Sequence, residues 1–153
     1  MKKAITLFVM FIFLIGAAGC SEQTTNIVLD FSAVDVENIE LYYYEDVPVN
    51  AKMQTITEQE DITSILNTLT SIKVKKGSYE PTAGGSVISF RFNLSDETSF
   101  EIIHNNYGVK KGQIMSSYNF DYRTEADICG LWDDFSAYDI SDASESELPH
   151  YEK

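Results

Sequence analysis

The stretch that most restricts the fold is "SVISFRFNLSDETSFEIIH", Ser86 to His104. Ile88, Phe90, Phe92 and Leu94 alternate with Ser89, Arg91 and Asn93, the period of two that puts apolar side chains on one strand face. Ser95-Asp96-Glu97-Thr98 is turn-forming, and Ser99 to His104 returns. Asn105-Asn106-Tyr107-Gly108 signals a second turn, and a third run follows near Gln113 to Tyr118. Contiguous strands with short turns pair antiparallel, so the chain must form a β-meander whose apolar face needs a cover.

Two segments carry the spacing of such a cover. In "TEQEDITSILNTLTSI", Ile62, Ile65, Leu66, Leu69 and Ile72 form one stripe of an amphipathic helix, and Thr57 with Glu60 has capping-box spacing. In "RTEADICGLWDDFSAY", Ile128, Leu131, Trp132, Phe135 and Tyr138 repeat the stripe, with Thr124 as the expected cap. Gly130 weakens this second helix by about 1 kcal/mol relative to Ala. Upstream, "NIELYYYE" alternates as a strand, and Ile27 to Phe31 reads as either a strand or a hydrophobic strap. "KVKK" is a short strand candidate leading to a Pro and Gly loop. The expected fold class is α+β: a two-layer domain over residues 27–138, an antiparallel β-meander sheet with two amphipathic helices packed on one face. Residues 139–153 are acidic, serine-rich and aperiodic, the composition of a disordered tail.

The N-terminus reads as an address. Lys2 and Lys3 precede an apolar run, Ala4 to Ala18, that spans roughly 22 Å as a helix, short of a ~30 Å hydrocarbon core. A basic start, a short apolar segment and small residues at its end are those of a secretory signal. Ala17-Ala18-Gly19-Cys20 resembles the lipobox of bacterial lipoproteins, with Ala17 where Leu is most frequent. The resemblance implies a diacylglyceryl group on the sulfur of Cys20 and cleavage between Gly19 and Cys20. Residues 1–19 are then a signal peptide and 20–26 a lipidated tether, on the extracytoplasmic face of the cell membrane. An ordinary secretory signal with an incidental cysteine is the alternative; a retained span is disfavoured because Ser21-Glu22-Gln23 ends the run early. The mature region is similar to small uncharacterised lipoproteins of Gram-positive bacteria in "DVENIELYYY", "TITEQEDI", "PTAGGSVISFRFNLSDETSFEI" and "ADICGLWDDF". That resemblance implies location and fold, and no activity.

Charge limits the partners. Twenty-four acidic against 11 basic residues give a formal net charge of −13, and loss of Lys2 and Lys3 leaves the exported chain more acidic still. Such a chain repels nucleic acid, and its mean charge disfavours acidic partners and a grip on anionic lipid. The membrane contact expected is the lipid on Cys20 and the expected state a monomer, with a protein or small-ligand partner left open. With Cys20 lipidated, Cys129 is the remaining cysteine and reads as a residue packed at the core margin.

Catalytic motifs are sparse. The chain has no G-x-S-x-G, H-E-x-x-H, Walker A or C-x-x-C pattern. Gly84-Gly85-Ser86 follows a proline and precedes a strand, the context of a turn and not of a phosphate loop. The acids Asp133, Asp134, Asp139, Asp142, Glu145 and Glu147 lack the spacing and glycine of a calcium loop, and His104 and His150 stand alone. No metal and no cofactor is expected. Tyr42 and Tyr44, on one strand face with Glu40, form the candidate binding patch. The expected function is a non-enzymatic, lipid-anchored binding module at the cell surface; the alternative is a small envelope hydrolase using His104.

Overall fold

The computed structural model describes residues 23–77, 84–106, 112–116 and 122–149. Gly19, Cys20 and the rest of the N-terminal address lie outside them, as does His150. Among the described residues no helix is long and apolar enough to cross a membrane.

The chain forms one α+β unit around an antiparallel sheet. Its strands are β1 (Thr25–Asn26), β2 (Val36–Glu45), β3 (Lys52–Ile56), β4 (Lys73–Lys76), β5 (Ser86–Leu94), β6 (Ser99–Asn106), β7 (Gly112–Ser116), β8 (Tyr122–Thr124) and β9 (Ser141–Asp142). Across the sheet the order is β1-β4-β8-β7-β6-β5-β2-β3-β9. The expected meander is its centre: β5 and β6 form a hairpin, and Glu97 takes a positive φ of 66° in the turn. Gly84 and Gly85, at φ of 84° and 108°, enter β5 in a conformation that disfavours any side chain.

Register sorts the residues by face. Leu41, Phe90 and Ile102 stand side by side on β2, β5 and β6, as do Ile39, Phe92 and Phe100 in the next row, and all six are buried. Helix α1 (Gln59–Ser71) covers this face with Ile62, Ile65, Leu66 and Leu69, and Ile72 follows at its C-cap. Its N-cap is Glu58, with no side-chain hydrogen bond, so the Thr57–Glu60 capping box does not form. Glu60 and Asp61 in the first turn still meet the positive end of the helix dipole. The segment from Ile27 to Phe31 is a strap and not a strand. Ile27 is buried, and Phe31 packs on Phe92 and Phe100 with ring centroids 5.5 and 5.4 Å away.

The second helix is much shorter than its stripe. Only α2 (Leu131–Asp134) is helical, and the backbone from Ile128 to Tyr138 is closed by bonds to the third preceding residue. Gly130 at its start and two aspartates within one turn give little helical propensity, so packing decides the path. The stripe nevertheless points inward: Ile128 and Phe135 are buried, and Trp132 stacks on Tyr43 at 5.5 Å. Tyr138 donates to Asp61 at 2.7 Å and so ties this segment to α1. Thr124 lies in β8 and does not cap α2; its hydroxyl accepts from the Ala126 amide and donates to the Lys73 carbonyl.

The opposite face carries a polar row, Glu40, Arg91 and Glu101, on the same three central strands. Arg91 Nε donates to Glu101 and Nη1 to Glu40, both at 2.8 Å, while Nη1 also reaches the Tyr42 hydroxyl at 2.9 Å. Its Nη2 donates to the Glu147 carbonyl at 2.9 Å. That last bond overturns the expectation of a disordered tail for much of residues 139–153. Strand β9 pairs with β3, and a 3₁₀ turn at Glu145–Glu147 closed by Ser144 follows, with Ala143 and Leu148 buried against Tyr42 and Ala51. The tether expectation is likewise shortened, since Thr25–Asn26 pairs with β4.

Arg91→Met should strip the clasp and remove the guanidinium from between Glu40 and Glu101. The expected cost is about 2 kcal/mol in urea unfolding, with faster limited proteolysis between Ser141 and Pro149. A segment that stays equally resistant would show that Arg91 does not hold it.

Candidate anion-binding groove

Six lysines and arginines fall among the described residues, and four of them line a single groove of about 470 Å³. These are Lys73, Lys75, Lys76 and Arg123, joined by Thr24, Thr124, Ala126 and one acid, Glu125. The other two cations are in ion pairs elsewhere, Lys52 with Asp142 and Arg91 with Glu40 and Glu101.

Strand pairing builds the groove. Val74 turns into the core, which fixes β4, and Lys75 then stands directly opposite Arg123 on β8. Like charges in facing positions of neighbouring strands destabilise a sheet. Thr124 binds the Lys73 carbonyl at 3.0 Å and locks β8 beside β4. Asn26 donates to the Thr70 carbonyl at 2.8 Å and accepts from Lys73 Nζ at 2.5 Å, so β1 and the end of α1 hold the wall. Gly77 gives Arg123 its place, because a Cβ there would lie 2.7 Å from Arg123 Cγ. The result is a set of amine and guanidinium donors around a cavity large enough for a small anion, such as a phosphate or carboxylate group.

The residues singled out from sequence lie elsewhere. Tyr42 is buried beneath the C-terminal segment, and burial followed by its hydrogen bond to Glu40 pushes its hydroxyl pKa well up. Tyr44 is half-buried in the same cluster, so the pair is not an open patch. The sheet face they share is real, but Ala143 and Leu148 cover it.

His104 is fully buried on the α1 side of β6. Its Nδ1 lies 3.8 Å from the Sγ of half-buried Cys129, and its Nε2 has no hydrogen-bond partner among the described residues. Burial pushes the imidazole down to about 4, against a small opposing effect of Asp127. Burial, with Asp127 and Glu45 adding negative charge, pushes the Cys129 thiol up to about 12. A nucleophilic cysteine needs the reverse, an electropositive surrounding that favours thiolate beside imidazolium. At neutral pH this pair is a thiol beside a neutral ring. No group of three metal-ligating side chains occurs among the described residues.

A histidine depressed in the folded state binds its proton more readily when the chain unfolds. Folding stability is therefore complete above about pH 6.5 and falls as pH drops toward about 4. The loss across that window should be about 3 kcal/mol at 1.36 kcal/mol per pKa unit. Urea unfolding across this range checks it: His104→Phe should flatten the slope, and an equal slope in both proteins would contradict the assignment.

Comparisons with protein-family models, with curated proteins and with solved structures each find no match to this chain.

Proposed function

We propose that the protein is a lipid-anchored, extracytoplasmic, non-enzymatic binding module that takes an anionic ligand in the groove between β4 and β8. The observation that carries the reading is the gathering of four cations around one cavity in a chain of net charge −13. On the paired strands Lys75 stands opposite Arg123, and an anion in the groove is attracted by both. The anchor rests on the lipobox at Cys20.

The alternative, a small envelope hydrolase using His104, draws on the 3.8 Å contact with Cys129. Full burial and a neutral, unactivated pair count for a packing role.

Two measurements test the proposal. Cys20→Ala should abolish incorporation of radioactive fatty acid in cells, and persistent labelling would refute the anchor at that position. Inorganic pyrophosphate titrated into the protein by calorimetry should bind with a stoichiometry near one. Arg123→Glu should weaken that binding at least tenfold, the effect of removing a charged hydrogen bond of about 1.5–3 kcal/mol. Lys52→Glu should leave it unchanged, and equal losses in the two variants would show a diffuse charge effect with no site.

A further inference from the structure

We infer that the face of β2, β3 and β5 beneath the C-terminal segment is a docking surface for a second copy of this chain, which seats its own residues 141–148 there by exchange. The inference is independent of the groove and of the anchor.

The surface reads its occupant largely through the main chain. Strand β9 adds to the edge of β3, with Lys52 opposite Asp142 and Met53 opposite Ser141. The Ala143 amide donates to the Ala51 carbonyl at 3.0 Å, and Arg91 Nη2 donates to the Glu147 carbonyl at 2.9 Å. Side chains add selectivity. Ala143 and Leu148 are buried in one cluster with Tyr42 and Ala51, bordered by Tyr44 and Met53, and Lys52 pairs with Asp142. Main-chain pairing at a sheet edge, with pockets for chosen side chains, is how a sheet takes an extended partner. The sequence that meets all of these positions is Ser141 to Leu148, so the matching partner is another chain that carries it.

The segment holds its own shape. Its 3₁₀ turn is closed from within, where the Ser144 amide and hydroxyl donate to the Glu147 carboxylate at 2.7 and 2.6 Å. Upstream, Tyr138 is tied to Asp61, and two exposed residues, Asp139 and Ile140, link that tie to β9. The three steps from Tyr138 to Ser141 span at most roughly 11 Å. A chain that delivers its segment to a neighbour must therefore bring its own body up to the neighbour's β3. Exposed apolar side chains border that edge. Of five large hydrophobics exposed among the described residues, Ile140 directly precedes β9, and Val47 and Val49 belong to the turn before β3. In a two-fold exchange the two links pass one another, each Ile140 meets its counterpart, and the segment keeps every contact it makes in the single chain.

Cross-strand disulfides test the exchange in the exported form, residues 20–153, with Cys20→Ser and Cys129→Ala so that the introduced thiols are the only ones. Chains carrying Met53→Cys are mixed with chains carrying Ser141→Cys and oxidised gently. A disulfide-linked heterodimer should form roughly tenfold faster than when Ser95→Cys, exposed in the β5–β6 turn, replaces Met53→Cys. Its yield should rise with protein concentration and with salt, which screens the repulsion between two acidic chains. A single chain carrying both Met53→Cys and Ser141→Cys should close internally when dilute, because facing residues of paired strands stand at disulfide distance. Ile140→Asp should slow the heterodimer and leave that internal bond unchanged. Internal closure with a heterodimer no faster than the Ser95→Cys control would make the segment a permanent cover of its own chain and overturn the exchange. A double variant that fails to close internally would remove the seat itself, and the exchange with it.

Discussion

The pairing of β2 with β5 and of β5 with β6 sets the terms for the rest of the molecule. One register places Leu41, Phe90 and Ile102 in a row on one face and Glu40, Arg91 and Glu101 in a row on the other. A slip of one residue in any of the three strands would exchange those rows and bury charge in the core. With the register fixed, each face has one kind of cover. The apolar rows are closed by α1, the strap at Phe31 and the turn-rich segment around α2. The polar row is closed by a backbone carbonyl, that of Glu147, delivered to Arg91 by the C-terminal segment. An arginine suits that place because its planar fork serves two carboxylates, a phenol and a carbonyl at once.

Much of this was legible in residue spacing. The alternation from Ile88 to Leu94 and the stripe from Ile62 to Ile72 depend on local periodicity, and their faces are those expected. What spacing could not show were effects that depend on distant partners. The stripe of Ile128 and Phe135 is buried as a helix would bury it, but its backbone is mostly tight turns because packing on α1 and Tyr43 overrides weak helix formers. Ser141 to Pro149 has the composition of a solvated tail, and two apolar residues, Ala143 and Leu148, with one carbonyl suffice to seat it. The same segment hides Tyr42, which would otherwise stand as an aromatic patch.

The groove was the least legible feature. "KVKK" is plain in the sequence, but alternate lysines on a short strand ordinarily belong to a solvated edge. Its meaning comes from Arg123, 48 positions after Lys75, which only the pairing of β4 with β8 brings opposite. Net charge points the other way, because a sum over the chain erases where the charges stand. Strand β9 of the acidic C-terminal segment pairs at one edge of the sheet, and four of the six described cations line a groove near the other.

Heteronuclear NMR of the protein titrated with inorganic phosphate tests that central claim most directly. The account predicts saturable shifts confined to the amides of Thr24, Lys73 to Gly77 and Arg123 to Ala126, with Tyr42, His104 and the C-terminal segment unmoved. Shifts that never saturate, or that spread evenly over the surface, would contradict it.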